Sequence, residues 1–255
     1  MLLPCSLRLA AFNLAVMKKQ LKHGVKKMSD AVALLSVELL LVFIVFIVCI
    51  ALLIVLIRQL FLPTQPAFDQ QTFDYLSGYV SNANTKIMEF FTVLGSHQFL
   101  IPAFLLFFAW YYFIRKNRWY FIKIVTIAVS NLLLLFSLKF FFNRPRPLVP
   151  LLKEVPGLSF PSGHAFMGLT FFGLIIYIVY REASNKWVKW ITIITLVFII
   201  LMVGLSRVYL RVHYASDVIA GYCFGIISLV ILLTMLKQIE KYNAGKLPDR
   251  WNVSK

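Results

Sequence analysis

Charge is what this sequence has little of. Only 14% of its 255 residues are charged, against 60% hydrophobic, and the mean hydropathy is +0.82. A soluble domain of this length has no use for so much apolar surface, so an ordinary water-soluble fold is excluded and a membrane protein is expected. Cysteine is sparse as well. The three present, Cys5, Cys49 and Cys223, are scattered, and two lie in apolar stretches, which excludes a disulfide framework and a metal-ligand pattern. Acidic residues number ten against 26 Lys and Arg, a net charge of +16. Such basicity suits nucleic acid or a membrane, and its distribution along the chain decides which. No shift of composition marks a second domain.

What is present is long apolar runs. Leu39 to Ile57 and Val218 to Leu236 are each nineteen uncharged residues, enough to cross a hydrocarbon core of about 30 Å. Four shorter candidates lie between them, at Gln98–Ile114, Ile124–Leu138, Ala165–Tyr180 and Trp190–Ser206. Each is extended by residues suited to the interface, such as Trp110, Tyr111, Trp119 and Trp190. The expected fold is all-α, a polytopic membrane protein with six transmembrane helices in one bundle, because lipid-exposed strand edges are not tolerated. The expected division is a cytoplasmic N-terminal segment at 1–35, a six-helix membrane domain at 36–237 and a cytoplasmic tail at 238–255. Residues 1–28 hold an apolar patch and a basic run without a span-length core or cleavage site. They fit an amphipathic surface helix, or an extension ahead of a start at Met28. In the long segment 63–97, Ile87, Phe90, Phe91 and Leu94 recur at helical spacing, which predicts a helix lying flat in the interface.

An even number of spans puts both termini on one side. That side collects 18 basic residues: Arg8, Lys18, Lys19, Lys22, Lys26 and Lys27, then Arg115, Lys116, Arg118, Lys123, Arg181, Lys186 and Lys189, and finally Lys237, Lys241, Lys246, Arg250 and Lys255. The other side has eight. Cytoplasmic termini in a cell membrane are therefore expected. The basicity is mostly a topology signal, and no nucleic-acid partner is expected. The sequon Asn252-Val253-Ser254 then falls in the cytoplasmic tail and carries no meaning.

The eight basic residues on the outer face need a separate reason. Arg58 and Lys86 suit the interface, and Lys153 sits beside Glu154. The other five cluster around three stretches: Lys139 through Arg144, Arg146 and Pro147; Pro161-Ser162-Gly163-His164; and Ser206-Arg207 followed by Arg211, His213 and Asp217. On the six-span layout all three meet at one face. Clustered cations at a membrane edge repel one another, and a multiply charged anion relieves that repulsion. Arg matches phosphate oxygens in a bidentate fashion, and Pro161-Ser162-Gly163 ahead of a helix adds backbone N–H groups at its positive end. Two histidines supply groups that attack or transfer protons near neutral pH. Asp217, four residues after His213, can hold one ring nitrogen and leave the other free. The chemistry implied is phosphoryl transfer.

These stretches resemble the signature of the type 2 phosphatidic acid phosphatase superfamily, in its membrane-bound lipid phosphate phosphatase branch. Lys139 and Arg146-Pro147 have the spacing of K-x6-R-P, Pro161 to His164 match P-S-G-H, and Ser206-Arg207, His213 and Asp217 match S-R-x5-H-x3-D. The resemblance covers residues 139–217 and the six-helix layout, with no departure at a functional position. It implies that His213 is the nucleophile, forming a phosphohistidine, with Asp217 holding its tautomer. It implies that His164 protonates the leaving group and later activates water. Lys139, Arg146 and Arg207 would neutralise phosphoryl oxygens, helped by Ser162 and the Gly163 backbone. No metal or other cofactor is implied, and the outer face lacks a carboxylate cluster for Mg²⁺ or a His/Cys set for zinc. The expected partner is an anionic lipid: undecaprenyl diphosphate, phosphatidylglycerol phosphate, phosphatidic acid or diacylglycerol diphosphate, with recycling of a cell-wall lipid carrier expected first.

Each residue also has a plainer reading. Ser162 and Gly163 suit a helix cap, Lys139 and Arg207 suit snorkelling span ends, and Asp217 suits a helix start. Pro145 and Pro147 end a helix, and Phe140–Phe142 form an aromatic belt. His164 suits the interface, and His97 and His23 are ordinary residues. No plain reading explains why these residues share one face at the family's spacings. Arg144 and Arg211 match no fixed element. Alternatives are a serine-hydrolase triad of Ser162, His213 and Asp217, a phosphotransferase, and a non-catalytic binder of anionic lipids.

Overall fold

A computed structural model describes residues 40–60, 67–147, 150–151 and 156–244. The expected segment 1–35, residues 245–255 of the expected tail, and Lys153-Glu154 lie outside the described residues. The chain divides into Met1–Val48 and Cys49–Lys255. In the first unit the described residues 40–48 are helical, and the core and site below belong to the second.

Among the described residues eight α-helices follow one another and no strand occurs. They are α1 (Leu40–Leu60), α2 (Ala67–Ser77), α3 (Asn82–Leu94), α4 (His97–Ala109, prolonged by a π-helical turn at Trp110–Ile114), α5 (Arg118–Phe142), α6 (Gly163–Glu182), α7 (Lys186–Tyr209) and α8 (Ala215–Ala244). Six are long and apolar enough to cross a membrane: α1, α4 with its π turn, α5, α6, α7 and α8. These are the six expected spans, and each overruns its apolar run. Helix α5, for instance, begins where the Asn117 side chain accepts the Tyr120 N–H at 3.2 Å, and it ends at Asn143 in the left-handed region (φ 44°). The aromatic residues Trp119, Tyr120 and Phe140–Phe142 occupy the added turns, where an apolar ring with a polar neighbour suits the interface. Phe140 and Phe141 are the most exposed of these rings, as an aromatic belt requires.

Helix α6 is the hub, packed against α5, α7 and α8. Half of its most apolar window is buried, against 11% for α4, so α6 is the span with least lipid contact. Close approach to α8 is made by Gly221, where an added Cβ would lie 2.9 Å from the Ser162 carbonyl oxygen. Small residues at helix contacts are how bundles gain dispersion energy in lipid, where burial of apolar groups gives no advantage. Ala165, Phe166, Leu169, Phe171, Phe172 and Leu174 of α6 fill the centre. Two polar pairs lie among the spans: Ser228 donates to Asn131 Oδ1, and Lys123 of α5 meets Glu240 of α8 at 2.7 Å, whereas Asn131 Nδ2 is buried without a partner.

The segment between α1 and α4 holds two helices rather than the one expected. Helix α3 carries the predicted register, but its apolar residues divide. Ile87, Phe90 and Val93 are exposed, whereas Met88, Phe91 and Leu94 turn inward against the bundle, mainly on α7. Helix α2 has no clean apolar stripe, and it docks through Phe73 and Leu76 on Val208, Ala215 and Val218.

Candidate active site

The C-terminal ends of α5 and α7 and the N-terminal starts of α6 and α8 meet at one end of the bundle. Lys139 and Arg146 arrive from the end of α5, Ser162, Gly163 and His164 from the start of α6, Arg207 from the end of α7, and His213 and Asp217 from the turn into α8. That turn is tight. Arg211 adopts the left-handed region (φ 54°), and the Arg207 carbonyl accepts the amides of Val212 at 3.1 Å and His213 at 3.3 Å. His213 is thereby fixed by its backbone.

His213 is buried to within 1% of full occlusion. Its Nδ1 lies 3.3 Å from Ser159 Oγ and 3.5 Å from Asp217 Oδ2, and Ser159 Oγ itself donates a short hydrogen bond to Asp217 Oδ2. The same carboxylate oxygen accepts the Tyr214 N–H at 2.9 Å, and Oδ1 accepts Arg144 Nη1 at 2.6 Å. An acceptor-rich partner on the Nδ1 side assigns the ring proton there and leaves Nε2 with its lone pair. Nε2 faces Arg146 Nη1 at 3.4 Å. Burial pushes the His213 pKa from the ordinary 6.5 down to about 4; Asp217 opposes that fall, and Arg146 and Arg207 add to it. At neutral pH the imidazole is therefore uncharged. Burial also lowers the Arg146 pKa, with Asp217 opposing.

Lys139, Arg146 and Arg207 are held in place by neutral groups, and none of them forms an ion pair among the described residues. Arg146 donates to the carbonyls of Val212 at 2.9 Å and Gly157 at 3.2 Å. Lys139 Nζ donates to the Leu158 carbonyl at 2.7 Å, so it turns inward rather than snorkelling out. Arg207 Nη1 donates to Thr92 Oγ1, while its Nε is buried without a partner. Ser162 Oγ is likewise buried and unpartnered, and it makes no capping hydrogen bond although Ser162 occupies the cap position. The capping reading of Ser162 therefore does not describe it. The serine-triad alternative also lacks its first requirement, a hydrogen bond from the nucleophile to its base. The first helical bond of α6 is Phe166 N–H to the Ser162 carbonyl at 3.0 Å. The amides of Gly163, His164 and Ala165 precede it, at the positive end of the helix dipole.

Beside this group lies a cavity of about 450 Å³. Its polar end is formed by Lys139, Arg146, Gly163, His164 and His213, with His97 close by. Its walls are apolar, from Leu100, Ile101 and Phe104 of α4, Val129, Leu132 and Phe136 of α5, and Met167 of α6. A single space thus joins a cationic end to a hydrocarbon wall. Gly95 makes room for it: a Cβ there would sit 2.4 Å from Val203 Cγ1 and 3.2 Å from His164 Cβ. Among the described residues no group of three or more His, Cys, Asp or Glu is placed to hold a metal ion.

Four residues here were not found in the sequence. Ser159 bridges His213 and Asp217, Thr92 holds Arg207, Gly95 admits His164, and Asp69 of α2 is fully buried against Arg144 at 2.9 Å. Arg144, which matched no fixed element, is engaged with two carboxylates rather than turned toward a headgroup. Arg211 serves the turn through its backbone and takes no part in the cavity.

A family model described as the PAP2 superfamily matches residues 119–241. Phosphatidylglycerophosphatase B of Bacillus subtilis (strain 168) is 31% identical over 160 residues, which is 62% of this chain and 77% of the relative. A crystal structure of a transmembrane PAP2-type phosphatidylglycerolphosphate phosphatase from Bacillus subtilis has the same fold, with a TM-score of 0.67 and 24% identity over 76% of this chain and 98% of that one. LpxE of Aquifex aeolicus is similar with a TM-score of 0.53 and 25% identity, over 66% of this chain and 96% of that one.

Proposed function

The chain belongs to the PAP2 superfamily and is a multi-pass membrane phosphatase acting on a lipid, and from that premise we propose that it works through a phosphohistidine on His213. The observation that carries the proposal is a cavity lined at one end by Lys139, Arg146, His164 and His213 and along its length by apolar walls. A phosphorylated headgroup suits the first and an acyl or prenyl chain the second.

In the proposed cycle the phosphoryl group sits among Lys139, Arg146, Arg207, Ser162 and the Gly163 amide. Support comes from the buried, unpartnered Arg207 Nε and Ser162 Oγ, which a phosphate oxygen would satisfy. Neutral His213 attacks phosphorus through Nε2 as the bond to the lipid oxygen breaks, and protonated His164 gives that oxygen its proton. Water then attacks phosphorus and gives a proton to His164, the P–N bond breaks, and inorganic phosphate leaves with His213 neutral again. Asp217 and Ser159 hold the Nδ1–H throughout and stabilise the charge the ring acquires. The fixed cations stabilise the equatorial oxygens in the transition state.

Phosphatidylglycerol phosphate is the first substrate we infer, because the 31%-identical relative bears the name phosphatidylglycerophosphatase B. Undecaprenyl diphosphate, phosphatidic acid and diacylglycerol diphosphate complete the class. The site is proposed to face the outside of the cell membrane, which is supported by the 18-to-8 distribution of basic residues. Phosphate release from these four lipids by wild type and His213→Ala is the test. At least one lipid is expected to yield phosphate at a rate the variant loses by at least about a thousandfold, and trapped enzyme is expected to carry acid-labile phosphate. A His213→Ala protein of wild-type rate, or an acid-stable phosphoenzyme, would sink the mechanism.

A further inference from the structure

Asp69 and Arg144 belong to no motif, yet they form a buried network that ends on the carboxylate beside His213. Asp69 lies in the first turn of α2 and is fully buried. Its Oδ1 accepts the Ser216 N–H at 2.9 Å, and its Oδ2 accepts Ser216 Oγ–H at 2.6 Å and Arg144 Nη2 at 2.9 Å. Arg144 Nη1 donates in turn to Asp217 Oδ1 at 2.6 Å and to Ser216 Oγ at 2.8 Å. The guanidinium lies over the Tyr214 ring, 4.0 Å from its centroid. Arg144 is therefore held at both terminal nitrogens, with one carboxylate on each.

The arrangement has a consequence for charge. Asp217 is the carboxylate beside His213, 3.5 Å from Nδ1 and linked to it through Ser159, and it faces a full guanidinium on its other oxygen. A lone Arg144 would neutralise it, and in a buried site that loss is felt strongly. Two carboxylates sharing one guanidinium keep one net negative charge. We propose that Asp69 is a positioning residue for the phosphatase reaction, which by taking half of Arg144 leaves Asp217 its negative charge for His213. This rests on the reading of His213 as nucleophile. The surroundings make the balance matter, because the other groups facing His213 are cationic or neutral: Arg146 and Lys139 from the end of α5, Arg207 of α7, His164 of α6 and His97 of α4. Among them only Asp217 favours the proton on His213, against burial and both arginines. A nucleophile starved of that carboxylate is less basic and attacks more slowly.

Charge balance gives signed outcomes that a plain anchor for α2 does not. The measurement is the acid limb of kcat/KM against pH for wild type, Asp69→Asn, Arg144→Gln and the double variant, with the lipid that wild type cleaves fastest. The substrate's own ionisation is common to all four. Asp69→Asn is expected to move the limb to lower pH by roughly half a unit to one unit, since losing a nearby anion disfavours the imidazolium. Its plateau is expected to fall about tenfold. Arg144→Gln is expected to move the limb the other way, and the double variant to return it toward the wild-type position. Limbs that do not move while the melting temperature falls would assign Asp69 to anchoring alone and overturn the proposal. If the single variants do not fold, the charge-balanced double variant is expected to be recovered folded and active, and its failure overturns the proposal equally. A wild-type rate in His213→Ala defeats the nucleophile reading itself, whereas an inactive His213→Ala with unmoved limbs defeats only this inference.

Discussion

Ser159 joins His213 and Asp217 through one hydroxyl. Its proton goes to Asp217, and its lone pair faces His213 Nδ1 at 3.3 Å, nearer than the carboxylate at 3.5 Å. The direct His–Asp contact is long for a hydrogen bond, so the hydroxyl carries much of the ring's orientation. Ser159→Ala is expected to lower kcat about tenfold with KM nearly unchanged, because Ser159 does not line the cavity. Steady-state kinetics on purified enzyme check this, and a change confined to KM would contradict it. Ser159, Asp69 and Thr92 were illegible in the sequence for a physical reason. Their partners lie 54, 75 and 115 positions away, and a buried hydrogen bond between remote segments leaves no periodicity behind. Lys139, Arg146, His164, Arg207, His213 and Asp217 were legible because their spacings are short and fixed by a single turn or helix end.

At the scale of elements, the spans were legible and the segment before them only partly so. A run of apolar residues long enough to cross a bilayer has one stable conformation, since each amide must be satisfied within the helix. Helices α2 and α3 have no such compulsion. Helix α3 kept a readable register, whereas α2 is held by Asp69 and two apolar residues whose partners are far off in sequence. The junction of α3 and α4 acts on the site sterically through Gly95. Gly95→Val is expected to lower the melting temperature by several degrees, as overpacking of about 1–3 kcal/mol does. It is also expected to reduce kcat about tenfold by displacing His164, which a Cβ would meet at 3.2 Å. Gly78→Ala, where the nearest atom to a Cβ is the Tyr75 carbonyl oxygen at 3.7 Å, should leave both unchanged. Thermal melts and kinetics on the two variants decide it, and equal behaviour would remove Gly95 from the account.

For the whole molecule, orientation is the property that gives the site its side of the membrane. Lys116 lies between α4 and α5, at the end remote from His213, and Tyr79 lies between α2 and α3, near Tyr209 at the end of α7. In a chain whose three cysteines have been replaced, Tyr79→Cys is expected to react with an impermeant maleimide on intact cells. Lys116→Cys is expected to react only after permeabilisation. The reverse pattern would turn the molecule over. Hydropathy sufficed for the six-span architecture, because the bilayer restricts a chain of this composition to few arrangements.

The cavity that joins cations to an apolar wall has a consequence for what happens after cleavage. The two products belong to different phases. Phosphate, freed at the polar end, is soluble only in water and is diluted in three dimensions. The dephosphorylated lipid stays in the plane of the bilayer and is diluted in two. The reverse reaction needs both products to return to one point from two phases, so their separate dilution adds to the free energy that already favours hydrolysis.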